Sequence, residues 1–561
     1  MCKHRAVNFT LISIFIFCLA FPVSGQESIA IYKESIKAYE NKDYKKASER
    51  FKKLTVREGL KLPDEMLYNG ASIFALNNEA KPSFKLLNYL ATAKLYSDFN
   101  HISKDSDLNN LHSLPEWKTL LKKVSENKRN QPARTRKKIK VALLKAKDIL
   151  QKDNGKLWGK NIWNDNILVQ DYENTIYSLK KLPGSTTKDS ILYFKKIPKN
   201  TLSMTNTVQK YEGTQYATVL SNYMSDESST IIHELFHLKQ FENIDLIGNP
   251  VPYLDNYDAR EWLRLEYQAL RNALGAINEK KENSIAETFI KDAFLFRKIR
   301  QTKYKEFLKG EVEIETLEGL ANYTGFVLST HPNKYLKAIA EIDGREAAST
   351  YTRPFPYATG PAYGLIFDFL KLDWKIGLDK VYNFLDIYES KHLKTPLAFS
   401  KAMIAEANKR NNYDAIHREE LDRKIIFEKR IKYYTELLIN KPTLQVTLTN
   451  NEYAMSFNMN GTLVLKDKGI VYSGIKGRDL DGSNFGNFVI DPEKAKLGVT
   501  GVFRSSESKK TTYIFPLPIK IEGRKIVGES YSIELNNGWE VRVKNKKGDL
   551  EIVKKRTKAS N

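Results

Sequence analysis

The spacing of apolar positions changes period twice along this chain. From residue 27 to about 124, apolar side chains recur every third or fourth position. In IYKESIKAYENKDYKKASERFKKL they are Tyr32, Ile36 and Tyr39, then Tyr44, Ala47, Phe51 and Leu54. This period predicts two amphipathic helices broken at Asn41-Lys42-Asp43. DEMLYNGASIFALNNEAKPSFKLLNYLATAKL supplies a second helical pair. Residues 125–138, SENKRNQPARTRKK, are polar and cationic and predict a linker. From 139 to 440, short strand-like runs (SILYF, QYATVL) lead into several long helical patterns. After Pro442 a period of two takes over, in LQVTLTN, YAMSFNM, TLVLKD, GIVYSGI, TTYIFPLPIKI, YSIELN, WEVRVK and DLEIVKK. Turn signals such as Asn460-Gly461 and Asn537-Gly538 separate these runs. The expected architecture is a multidomain α+β chain. It has an N-terminal α-helical repeat at 26–124, a mostly helical domain with a small β-sheet at 139–440, and a C-terminal all-β sandwich or barrel at 443–557.

The first 25 residues have their own pattern, MCKHRAVNFTLISIFIFCLAFPVSG. Lys3 and Arg5 precede an apolar run from about 9 to 21, and Val23-Ser24-Gly25 offers a place for cleavage. This is the layout of a secretory signal peptide. As an anchor the run falls short of the roughly 20 residues a bilayer needs, so no transmembrane anchor is expected. Lipoprotein processing at Cys18 is disfavoured by Phe15-Ile16-Phe17 in front of it. Cys2 and Cys18, the two cysteines of the chain, leave with the leader. The exported protein, periplasmic or extracellular, then folds without thiols or disulfides.

Composition narrows the class. Of 561 residues, 41% are hydrophobic and 28% charged, which excludes wholesale disorder. A mean hydropathy of -0.48 excludes a polytopic membrane protein. The balance of 90 Lys+Arg against 67 Asp+Glu gives +23, and loss of Lys3 and Arg5 leaves +21 (23 − 2). Export demotes nucleic acid as the partner, and no groove-reading or base-stacking motif accompanies the charge. The excess fits an anionic envelope surface or plain solubility.

Chemistry enters at SSTIIHELFHLKQFE. His233 and His237 stand at i, i+4, so on a helix both imidazoles project from one face with Glu234 beside them. Two histidines at this spacing bind zinc, and the glutamate handles the proton of the attacking water. Asp226, Ser228 and Ser229 are candidate helix caps. Ile231, Ile232, Leu235, Phe236 and Leu238 make the helix apolar, and buried imidazoles and carboxylates require partners. Zn2+ is the expected one. A third protein ligand is needed. No third histidine follows nearby, and His331, His392 and His417 stand alone as surface residues. Glu318 in IETLEGLANYTGF and Glu266 in REWLRLEYQALRNAL are the two candidates.

The H-E-x-x-H segment together with Leu317-Glu318-Gly319-Leu320-Ala321-Asn322-Tyr323 resembles gluzincin metallopeptidases of the aminopeptidase-N type. Their third ligand lies in N-E-G-x-A-x-Y, and leucine replaces asparagine here. The resemblance implies Glu318 as the ligand, with Glu266 as the fallback, and helices inserted between the two motifs. Asn322, one turn on, would hydrogen-bond a ligand. MTNTVQKYEGTQYATVL, IIHELFHLKQ, YLDNYDAREWLRLEYQALRNAL, FLFRKIR, LEGLANYTG and YATGPAYGLIFD are similar to a group of exported bacterial gluzincin-like proteins without an assigned substrate. The likeness covers less than half of the chain. The helical pairs at 26–124 resemble tetratricopeptide repeats, which implies a protein partner; an ordinary helical bundle is the alternative.

An oxyanion needs a proton-donating neighbour besides the metal. RPFPYATGPAYG offers Tyr357, Tyr363 and Arg353 for this role. Arg297 and Arg300 share a helical face and can hold a carboxylate or form structural ion pairs. By the gluzincin resemblance, QYATVLSNY corresponds to the edge strand that pairs with an extended substrate. The expected function is an exported zinc-dependent peptidase with Glu234 as general base and acid. The alternative is a non-catalytic envelope binding or assembly protein with a structural or retired metal site.

Overall fold

A computed structural model of the protein describes residues 23–199, 201–223, 228–448, 453–457, 462–465, 469–472, 475–479, 485–490, 502–507 and 510–555. The leader expected at 1–25 lies outside the described residues apart from its last three positions, and so does the basic tail beyond 555. Among the described residues, no helix is long and apolar enough to cross a membrane. The fold divides into two compact units.

The first unit comprises Met1–Val251, Glu266–Ala347 and Thr352–Ser400. It opens with helices Val23–Glu40 and Tyr44–Glu58, then Asp64–Leu76 and Ala80–Thr92. Both pairs reverse through the same turn. Asp43 N donates to Ala38 O and Glu79 N to Phe74 O, with Lys42 and Asn78 left-handed at φ 60° and 59°. A repeated turn at equivalent places makes this a helical repeat. Phe51, Leu54, Phe74, Leu87, Leu90 and Trp117 fill its core. Gly70 is required where the pairs cross, since a Cβ there would lie 2.1 Å from the Phe51 ring.

The polar stretch expected as a linker, 125–138, is helical, inside the 39-residue helix Pro115–Asp153. Its lysines, arginines, glutamine and alanine are strong helix formers. Pro132 removes one helical donor, and the Arg134 guanidinium donates to Asn127 O at 2.8 Å just before the gap.

Among the described residues six strands follow, in the spatial order Thr186–Thr187, Tyr193–Lys196, Thr175–Ser178, Ile167–Gln170, Thr214–Leu220, Thr207–Tyr211. The strand of QYATVL, expected at an edge, is internal. It runs parallel to Ile167–Gln170 and antiparallel to Thr207–Tyr211. Residues Tyr216 to Leu220 are all buried, the pattern of a strand covered on both faces and not of an alternating edge. Thr207–Tyr211, beside it, is outermost among the described strands on that side.

Against this sheet packs helix Ser229–Phe241, and against that helix packs Leu320–Leu328. Two glycines allow the close approach of the helices that follow. A Cβ on Gly325 would sit 2.8 Å from Ser229 O, and one on Gly360, in helix Phe355–Phe369, would sit 2.2 Å from the Gly319 Cα. Gly360→Ala gains about 1 kcal/mol of helix propensity. The clash is with backbone, which cannot rotate away, and overpacking of this kind costs about 1–3 kcal/mol or more. The expected result is a lower urea midpoint, and an unchanged or raised midpoint would show that the helices separate freely.

The second unit comprises Pro252–Leu265, Ala348–Tyr351 and Lys401–Asn561. Among the described residues, seven strands form one sheet and six another. Leu444, Val446, Tyr513 and Phe515 of the first share one core with Ile526, Ile533 and Leu535 of the second. This is the sandwich alternative of the expected β-rich region. His417, expected to stand alone, is hydrogen-bonded through Nδ1 to Glu261 Oε2 at 2.6 Å.

Candidate metal centre

Helix Ser229–Phe241 forms because Ile231, Ile232, Leu235 and Phe236 are fully buried, each at 0% exposure. Of the caps expected from sequence, Asp226 lies outside the described residues. Ser228 precedes the helix in a left-handed conformation, and its hydroxyl donates to Ala142 O at 3.1 Å instead of capping. One turn apart on the same face, His233 and His237 bring their Nε2 atoms to 3.0 Å.

Glu318 meets them from a different part of the chain. Helix Leu308–Ile314 and helix Leu320–Leu328 are joined by a π-helical turn, Glu315–Gly319. A π turn adds a residue to the helical circuit and re-aims the side chains on it, and such turns concentrate at functional sites. Glu318 Oε2 lies 3.5 Å from His233 Nε2 and 3.4 Å from His237 Nε2. Among the described residues this is the one group of three or more ligand-type side chains whose donor atoms converge, all within 4.8 Å.

The donor set fits zinc. With ligand distances of 2.0–2.1 Å and tetrahedral angles, neighbouring donors sit about 3.3 Å apart, close to the three separations found. Gln240 completes the support. Its Oε1 lies 3.3 Å from His237 Nδ1, and its Nε2 donates to Thr316 O at 2.8 Å. A proton on Nδ1 leaves the Nε2 lone pair free to ligate. Gln240 thereby ties the histidine helix to the π turn. Sequence reasoning missed it, although its position one turn after His237 was a usable signal.

The electrostatics follow from burial. Burial opposes charge on Glu318, but hydrogen bonds and charge from His233 and His237 outweigh it and hold the carboxyl well below its ordinary range. Burial lowers the His237 pKa, yet Glu318 lifts it to about 8. Glu234 is raised, chiefly by burial. Its Oε2 is buried without a hydrogen-bond partner. A carboxylate oxygen in this state is either costly or in use.

Tyr357 is brought to the centre. Its hydroxyl donates to Glu318 Oε2 at 2.7 Å, and its ring lies parallel to that of His233 with centroids 6.0 Å apart. Burial, then the Glu318 charge, raises its pKa far above the ordinary value, so the phenol keeps its proton. Tyr363 is not brought there. It is fully buried, and its hydroxyl donates to Glu266 Oε1 at 2.8 Å. Glu266, the fallback ligand, instead accepts from Arg297 and Arg300. Arg297 and Arg300 do hold carboxylates, in the interior. Arg353 is exposed and reaches Gly248 O at 3.4 Å.

Asn322 was expected to bond a ligand. It donates to the backbone carbonyl of Tyr357 at 2.7 Å. The cause is Pro361 inside helix Phe355–Phe369. Proline has no N–H to give to the carbonyl four residues earlier, and that carbonyl belongs to Tyr357. Asn322 fills the vacancy and so fixes the tyrosine's backbone. Asn322→Leu is expected to lower stability by about 1 kcal/mol, and its melting temperature should fall below wild type. An unchanged value would mean that solvent serves the carbonyl equally well.

Comparisons of the chain with protein-family models, curated proteins and solved structures find no match. The arrangement of His233, Glu234, His237 and Glu318 matches an H-E-x-x-H zinc-binding motif on its own geometry.

Proposed function

We propose that this chain is a zinc-dependent peptidase of gluzincin type that works outside the cytoplasm on peptide or protein substrates. One observation carries the reading. Two imidazole nitrogens and a carboxylate oxygen converge at zinc-ligand spacing, next to a buried glutamate oxygen without a partner. Three protein ligands of the His/His/Glu kind leave a coordination position open, which distinguishes catalytic zinc sites from closed structural ones. The leader pattern at 1–25 supports export.

Zinc held by His233, His237 and Glu318 supplies Lewis acidity toward a carbonyl oxygen and a nucleophile at neutral pH. Glu234 takes the proton of the attacking water on its free oxygen and returns it to the leaving amine. Its raised pKa suits both directions of transfer. Tyr357 holds its proton throughout. Its hydroxyl, now on Glu318, exchanges that acceptor for the developing oxyanion, a bond strongest in the transition state.

The test is digestion of a broad peptide library by the zinc-loaded full chain, with zinc content measured on the same sample. Cleavage with one zinc per chain is the expected result. Stoichiometric zinc without any cleavage would sink the peptidase reading and favour a non-catalytic envelope protein.

A further inference from the structure

Five charged side chains lie at 0% exposure in the core behind the metal centre: Glu266, Arg297, Arg300, Glu311 and Glu315. Arg297 Nε donates to Glu266 Oε1 at 2.9 Å, while Nη1 and Nη2 grip both oxygens of Glu315 at 2.7 and 2.6 Å. Arg300 donates to Glu311 at 2.6 Å and to Glu266 at 2.8 Å. Thr359 Oγ1 donates to Glu315 Oε1. Three carboxylates and two guanidiniums thus share one buried lattice. Burial raises the Glu315 pKa, against the pull of Arg297.

Stability alone does not account for such a lattice. Desolvation of each ion offsets much of the attraction, and apolar side chains of the same volume often serve a core as well or better. What a planar fork provides is direction. Glu315 opens the π turn whose fourth residue is Glu318. Thr359 stands two residues after Tyr357 on helix Phe355–Phe369. The lattice therefore binds the turn of the third ligand to helix Asn283–Lys303 on one side and to the helix of Tyr357 on the other.

We infer that Arg297, Glu315 and Thr359 are positioning residues of the zinc centre. They hold the π turn at the one rotation that points Glu318 Oε2 at both imidazoles. The inference rests on the zinc reading above and deepens it: affinity for the metal is set partly from the far side of the turn.

The test compares zinc affinity, by competition with a fluorescent chelator, and metal-free melting temperature in three variants of the full chain. Arg297→Lys keeps the charge and loses the fork. Thr359→Val keeps the shape and loses one donor to Glu315. Asn127→Leu is the control, since it loses the bonds of its amide to Ala91 O and Tyr96 O at 2.6 and 2.9 Å, within the helical repeat. Affinity is expected to fall about 10–100-fold in Arg297→Lys, and less in Thr359→Val. Asn127→Leu should lower the melting temperature and bind zinc as wild type does. Should Arg297→Lys fail to fold, Thr359→Val decides. Variants that melt earlier but keep wild-type affinity overturn the positioning role. A wild-type chain that binds no zinc overturns the metal reading itself, and this inference with it.

Discussion

Glu234→Gln is expected to retain one zinc per chain and to lower kcat for peptide cleavage by about 10²–10⁴-fold, the usual contribution of a positioned proton-transfer group. Glutamine preserves the side chain's volume and one oxygen, so the apolar helix around it keeps its packing. Glu234 also stands outside the converging donor set, so metal content should not follow activity down. Zinc analysis and single-turnover cleavage on one preparation separate the two effects. KM should change little, because the lost proton acceptor acts in the transition state and not in binding. Retention of more than a tenth of wild-type kcat would exclude Glu234 as the proton carrier.

Glu318→Ala is expected to weaken zinc binding by more than the 10–100-fold that loss of a supporting residue costs, because it removes a ligand. At a free zinc concentration 100 times the dissociation constant, binding stabilises a folded protein by about 2.7 kcal/mol. Wild type should therefore melt higher with zinc than without, and Glu318→Ala should lose that increment. The metal-free variant also loses the acceptor of Tyr357. Its baseline melting temperature falls too, so the decisive quantity is the difference between loaded and metal-free samples. If a full zinc increment survives in Glu318→Ala, the third ligand is another residue.

The two histidines were legible from their spacing because a helix turns a separation of four residues into adjacency without help from the rest of the chain. The period-two runs beyond Pro442 predicted the β-rich region for the same local reason. Where local cues compete, the sequence misled. The stretch 125–138 is polar enough for a linker and helix-forming enough for a helix, and packing at both ends of Pro115–Asp153 settled it. QYATVL shows its strand but not its neighbours, and an internal place in the sheet is a matter of pairing between distant segments.

Glu266 and Glu318 show the division most clearly. Each is a glutamate in an apolar helical segment, and only the gluzincin resemblance of LEGLANY separated them. In the fold, two arginines enclose Glu266, and a π turn swings Glu318 toward the histidines. Tyr357 and Tyr363 part in the same way. They lie six positions apart on one helix, one meeting Glu318 and the other Glu266. By itself the sequence determined the histidine pair, the glutamate beside it, the helix that carries them and the order of helical and β regions. The third donor, the tyrosine at the centre and the use of the buried arginines were decided by tertiary structure, since each depends on side chains that meet only after distant helices pack.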